Sequence, residues 1–276
     1  MNEFTNYFEH ITSLHRFIIL VSGIALFWLI EDSVPLFSFH YKKWKHAFNN
    51  FALTLTTILI NFVFAGLLGL TAQLSASYHI GLFHQVHLNW LLQILVGFLA
   101  LDLIGAWFSH YCSHRYKWLW QLHLIHHTDE AIDTTTATRH HPLESLQRVV
   151  FTAAAIFLVG TPLWLVFLYQ SCSAFFSQFN HANIELPKWL NQPLSWLIIT
   201  PNMHHVHHHY QQPFTDSNYG NIFAFWDRLL GTYKMLEAKN LKYGIDTYTT
   251  NETKSLLSLL TLPFKGYRSN KKKFEN

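Results

Sequence analysis

Residues 90–127 read WLLQILVGFLALDLIGAWFSHYCSHRYKWLWQLHLIHH. From Trp90 to Phe108 only Gln93 and Asp102 interrupt the apolar run, which is long enough to cross the hydrocarbon core of a bilayer. The run then leads, without a linker, into histidines at His110-x-x-x-His114 and His123-x-x-His126-His127. Residues three and four apart share a helix face. The stretch therefore reads as a membrane-spanning helix that delivers a group of imidazoles to the membrane surface.

Working outward, three further apolar stretches appear: Ile18 to Ile30, Phe51 to Leu70, and Val149 to Phe179. Half of the 276 residues are apolar and only 13% are charged, against about a quarter in soluble domains. The net charge of +3 is small, and no basic stripe marks a nucleic-acid surface. Cys112 and Cys172 form neither a disulfide framework nor a CxxC site. Histidine is the outlier, with 20 residues. The expected fold is all-α: an integral-membrane bundle of about three spanning helices plus a broken helical hairpin, capped by a cytoplasmic histidine-rich helical domain. The chain divides into membrane segments (1–100), a catalytic region (101–233) and a C-terminal tail (234–276), which includes the basic run Lys271 to Lys273.

Loop charge sets the orientation. Lys42, Lys43 and Lys45 follow the first segment, whereas 71–89 holds no Lys or Arg. Arg115, Lys117, Arg139 and Arg148 follow the third. The positive-inside rule puts the histidines in the cytoplasm, at a bacterial inner membrane or an endoplasmic reticulum. A third histidine group, His204-x-x-His207-His208, must lie on that same side to join them. Segment 149–179 must then turn back. Gly160 and Pro162 supply the break, leaving two arms of about 22 Å each, which predicts a shallow or re-entrant hairpin, or two short tilted helices, returning to the cytoplasm.

Imidazole suits iron, zinc, copper and nickel. Eight imidazoles in three boxes exceed the needs of one four-coordinate zinc and suit two neighbouring ions. Spacing alone leaves His205-x-x-His208-His209 as a second register of the third box.

The ordered set of motifs resembles the fatty acid hydroxylase/sterol desaturase superfamily over about Asp102 to Tyr233. Beyond the boxes it includes Leu119-Trp120, Thr138-Arg139-His140-His141-Pro142-Leu143-Glu144, His181-Ala182-Asn183-Ile184, Thr200-Pro201-Asn202-Met203, Asn218-Tyr219-Gly220 and Trp226-Asp227-Arg228-Leu229-Leu230-Gly231-Thr232-Tyr233. The resemblance implies a centre of two iron ions with O2 as co-substrate. It selects His204, His207 and His208 in the third box and leaves His205, His209 and His140 as bystanders. It adds His141 and His181, giving ten expected ligands: His110, His114, His123, His126, His127, His141, His181, His204, His207 and His208. Glu185 stands where some members carry another histidine, and its role stays open. Asp102, Glu144, Asn183 and Asp227 are expected beside the ligands. Asp102 would accept an imidazole N–H, and Asp227 would orient a third-box histidine or pair with Arg139 or Arg228.

The implied reaction is hydroxylation or desaturation of a lipid C–H bond, the substrate being sterol-like or an acyl or alkyl lipid. The motif from His141 to Glu144 leans towards the sterol branch. No CxxC, CxxCH or GxGxxG motif is present. An external electron donor, cytochrome b5-like or a ferredoxin with its reductase, is therefore implied. Two other classes compete. A zinc-dependent membrane hydrolase needs an open zinc with an acid/base carboxylate, for which Glu144, Asp129 and Glu130 are available. A metal transporter needs ligands midway through its spanning segments.

Overall fold

The computed structural model describes residues 2–38, 41–245, 247–249 and 251–266; the basic run Lys271 to Lys273 lies outside them. Among the described residues the secondary structure is helical, with two isolated β-bridges, Pro35 to Ile184 and Ile198 to Phe223. A short α1 (Asn2–Glu9) precedes α2 (Ser13–Glu31), which the Thr12 side chain caps by accepting from His15 N. Next come α3 (Lys43–Ser77) and a single turn, α4 (Leu82–Gln85). One continuous helical stretch, Trp90–Arg115, follows as α5 (Trp90–Ala100), a π-helical segment (Leu101–Phe108) and α6 (Ser109–Arg115). Then come α7 (Lys117–His127), α8 (Glu144–Val159), α9 (Leu163–His181), α10 (Lys188–Leu197), α11 (Pro201–His207), α12 (Phe225–Leu229) and α13 (Leu256–Thr261).

Three stretches are long and apolar enough to cross a membrane: Ser13–Glu31, Lys43–Gln85 and Trp90–Arg115. Along α3, Phe62 and Val63 are 75% and 71% exposed, in a row with Leu55, Leu59 and Leu70. Water would penalise so large an apolar face, whereas a lipid chain is a matching neighbour. The structure thus bears out a multi-pass membrane protein whose apolar surface faces outward.

The α8–α9 pair is the hairpin that the histidines demand. Glu144 at its start is 3.2 Å from His123, and His181 at its end is 3.0 Å from His126. The chain therefore leaves the site and returns to it. The arms are not shallow, however. Their tip, Val159 to Pro162, packs against the loop that follows α3, where a Cβ on Gly81 would overlap the backbone of Gly160. The hairpin runs from the histidines to the opposite end of the bundle. Gly160 ends α8 in the left-handed region (φ 78°) and Gly81 has φ 110°, conformations that cost a side chain about 1–3 kcal/mol.

Two apolar clusters hold this frame. Leu68, Leu101, Val149, Ile156, Val166 and Tyr169 join α3, the π segment, α8 and α9. Leu53, Trp120, Leu124 and Ile125 pack with Leu259 and Leu262. The described part of the segment set apart as a tail, 234–276, therefore lies against α7, and Gln121 Nε2 donates to Pro263 O at 2.8 Å.

The glycine contact is testable. Gly81→Ala should lower the thermal midpoint of the detergent-solubilised protein by several degrees. Gly66→Ala, which meets open space, should leave it unchanged. Equal midpoints would refute the contact.

Candidate metal centre

Helix ends deliver the imidazoles. His110 and His114 lie on α6, and His123, His126 and His127 on α7. His181 closes α9, and His204 and His207 lie on α11, with His208 at its C-cap. Pro201 starts α11 and needs no N–H partner there. All but His110, which is partly buried, are buried.

Nitrogens of these nine side chains fall into two groups, each with its atoms within 4.8 Å of one another: His110, His114, His123, His127 and His207, and His126, His181, His204 and His208. The boxes interleave. His123 and His127 join one group while His126 joins the other, and His207 parts from His204 and His208 in the same way.

The other ring nitrogen explains the orientation. Nδ1–H donates from His110 to Tyr219 O (2.9 Å), from His114 to Asp216 Oδ1 (3.1 Å) and from His123 to Glu144 Oε1 (3.2 Å). It donates from His181 to Ser177 O (2.6 Å) and from His207 to Ser217 O (2.7 Å). Carbonyl and carboxylate oxygens only accept, so each Nδ1 carries the proton and each neutral ring keeps its lone pair on Nε2. Nε2 is the atom that converges: His110 faces His123 at 3.1 Å, and His181 faces His126 at 3.0 Å and His204 at 2.9 Å.

Between His110 and His123, both protonated on Nδ1, two lone pairs meet at that separation and repel unless a cation lies between them. Imidazole nitrogens this close could share one ion at ordinary metal–nitrogen bond lengths of about 2.1 Å. Among the described residues neither nitrogen of buried His208 has a hydrogen-bond partner, nor does Nδ1 of His126 or His204. Burial, reinforced by neighbouring imidazoles, holds His126, His204 and His208 well below the ordinary imidazole pKa. They are neutral donors at pH 7. The donor set fits two metal ions.

A second ring of contacts gives the flanking motifs their physical meaning. Asp216, Ser217 and Tyr219, on one loop, hold three of the imidazoles. Asn218 ties that loop to Met203 O and Lys234 O. Asp227 accepts from Tyr219 N, Gly220 N, Trp107 Nε1 and Thr232 Oγ1. It touches neither Arg139 nor Arg228, and it acts on His110 through the Tyr219 backbone. Arg139 instead ties α7 down, donating to Ile125 O, Thr128 Oγ1 and Asn50 Oδ1. Glu144 accepts from His123 and His140 and pairs with Arg148.

Three expectations are corrected by position. Asp102 accepts from Tyr169 Oη, Ile222 N, Phe223 N and Trp226 Nε1, so it anchors the 222–226 loop and accepts from no imidazole. The π-helical turns between it and His110 change the phase that an α-helix would give. Asn183 pairs with the Phe37 backbone. His141 stands outside both groups, with Nε2 at Leu260 O and Nδ1 accepting from Leu143 N. Its neighbour His140 stacks on His126, centroids 4.4 Å apart, and forms a three-residue group with His123 and Glu144. Backbone 139–141 is not helical, so no helical period ties the two side chains to one face. Glu185 is exposed. His205 faces away from the groups, towards Tyr243 Oη and the carbonyls of His181 and Ala182.

The family model for fatty acid hydroxylase matches residues 94–232, half of the chain. The chain belongs to the fatty acid hydroxylase family. Ornithine lipid hydroxylase OlsE of Rhizobium tropici is 26% identical over 82% of this chain and 70% of its own length. Human alkylglycerol monooxygenase is 31% identical over 54% of this chain and 32% of its own length. A cholesterol 25-hydroxylase-like protein of Caenorhabditis elegans is 28% identical over 60% of this chain and 56% of its own length. The chain thus spans about a third of the alkylglycerol monooxygenase it matches. No solved structure matches it. The chain is thus an oxidoreductase of this family, and the paired histidine groups are its candidate metal centre.

Three substitutions separate roles. Glu144→Gln should weaken metal affinity about 10–100-fold, as loss of a partner behind a ligand imidazole does, measured by competition with a chelator. His205→Gln should keep the metal content and lower only the thermal midpoint, whereas His126→Ala should lose metal. Equal metal loss in the two histidine variants would refute this assignment.

Proposed function

We propose that the chain is an O2-dependent lipid hydroxylase whose nine convergent histidines hold two iron ions, one in each group. The observation that carries this reading is the convergence of imidazole Nε2 atoms at 2.9–3.1 Å, with those of His110, His123 and His181 kept free of a proton by the acceptors on Nδ1. The stoichiometry is R–H + O2 + 2e⁻ + 2H⁺ → R–OH + H2O, with both electrons from an external donor protein. Bound iron supplies the O2 activation that an unactivated C–H bond needs, and the protein supplies binding and alignment. The relatives named above are hydroxylases or monooxygenases, which favours alcohol over alkene as the product. The histidine side of the bundle faces the cytoplasm in this reading, as the loop lysines and arginines require.

The chain's own residues do three things. The acceptors on Nδ1 hold the rings to one tautomer. Glu144 and Asp216 place carboxylates behind two of the imidazoles, in a site otherwise built of neutral rings. A cavity of about 380 Å³ runs from His110, His123 and His181 between α3, α8 and α9; we assign it to the lipid, with its apolar walls keeping water from the reacting bond. A hydrolytic zinc keeps three protein ligands and an open position, and nine imidazoles do not fit that pattern.

Protein purified anaerobically should carry two irons per chain. With a reductant and extracted membrane lipid it should consume O2 and yield a product with one added oxygen. One tightly held zinc and no O2 dependence would refute the proposal. A product lacking two hydrogens would correct hydroxylation to desaturation.

A further inference from the structure

Arg16 sits in the first turn of α2, inside an apolar spanning stretch and outside the region that the family model matches. Its side chain lines the far part of the cavity that reaches the histidines. It donates to Gln170 Oε1 at 3.3 Å and lies 5.1 Å from the centre of the Phe167 ring. Both partners are neutral, and among the described residues no carboxylate pairs with it. A guanidinium keeps its charge; near a helix end it can reach the interface, but here its side chain lines the cavity, where an anion would complement it. The wall between Arg16 and the histidines is amphipathic, with Leu20, Ile58 and Phe64 beside Asn61 and Ser173. Gln170 and His181 lie on α9, about 16 Å apart along its axis at 1.5 Å per residue.

We propose that the far end of the cavity is an anion site. Arg16, steadied by Gln170, binds the carboxylate or phosphate of an amphiphilic substrate whose hydrocarbon chain extends to the histidines. The proposal rests on the assignment of this cavity to the lipid. The separation between Arg16 and the histidines then selects which carbon reaches the metals. An uncharged amphiphile of equal chain length enters without that anchor.

The test is equilibrium binding of three labelled probes with the same chain, palmitate, hexadecyl phosphate and hexadecanol, to the full protein in a neutral detergent. At least one of the two anions should bind about tenfold or more tightly than the alcohol, the scale of one charge-assisted hydrogen bond. The preferred anion identifies the source as a free acyl chain or a phospholipid. Arg16→Gln should remove the preference and leave hexadecanol binding and metal content unchanged; Arg16→Lys should keep part of it. Hexadecanol binding as tightly as both anions in the unaltered protein would overturn the anion site. So would unchanged anion binding in folded Arg16→Gln. The unaltered protein decides the matter even where the variant fails to fold. Iron content and O2 consumption are measured separately, so failure of the anion site and failure of the hydroxylase reading give different results.

Discussion

A neutral imidazole has two nitrogens and one proton, and the protein decides which nitrogen keeps it. Five rings here give the Nδ1 proton to an oxygen that can only accept: Tyr219 O, Asp216 Oδ1, Glu144 Oε1, Ser177 O and Ser217 O. Their Nε2 lone pairs are thereby freed, and those of His110 and His123 meet at 3.1 Å. Such an arrangement is repulsive until a cation takes the lone pairs, so the surrounding structure must hold it together. Asp227 and Asn218 brace the loop that supplies three of the five acceptors, and Asp102 grips the following residues. These polar side chains are all fully buried, where an unsatisfied group is costly.

The bundle serves that requirement. Histidines on α6, α7, α9 and α11 meet only if the chain returns to one end after each excursion. The α8–α9 hairpin does this across the height of the bundle, with two glycines allowing its tip to touch the loop after α3. The first turns of α3 reach past the apolar region, and Asn50 meets Arg139 and Thr135 beside the second box. His46 Nε2 meets both oxygens of Asp129 at 2.8 and 2.9 Å. Burial opposes ionisation of Asp129, yet His46 and Arg139 hold its pKa well below the usual carboxylate range. The spanning helices and the histidine layer are thus one construction, sharing a cavity that opens from the metal groups into the apolar region.

Much of this was legible in the chain. Apolar run length revealed the spans, because a bilayer core sets a minimum length and tolerates few charges. The i, i+3 and i, i+4 spacings revealed the boxes, because those positions share a helix face. The return of segment 149–179 followed from requiring all boxes on one side. What misled was phase. Asp102 lies in the π-helical segment Leu101–Phe108, six residues of which separate it from His110, so an α-helical period does not relate the two side chains. His140 and His141 are adjacent in non-helical backbone, where sequence spacing assigns no face; His140 stacks on His126 and His141 lies outside both groups.

By itself, then, the sequence determined a membrane-embedded helical protein with three histidine boxes and a forced hairpin, because hydrophobic length and helical period are local properties. Only the tertiary structure decided the partition of each box between two groups, the choice of His140 over His141 beside them, and the acceptors that hold each ring. Those depend on which oxygens other segments bring within about 3 Å, a distance of hydrogen-bond order, and no spacing along the chain encodes it.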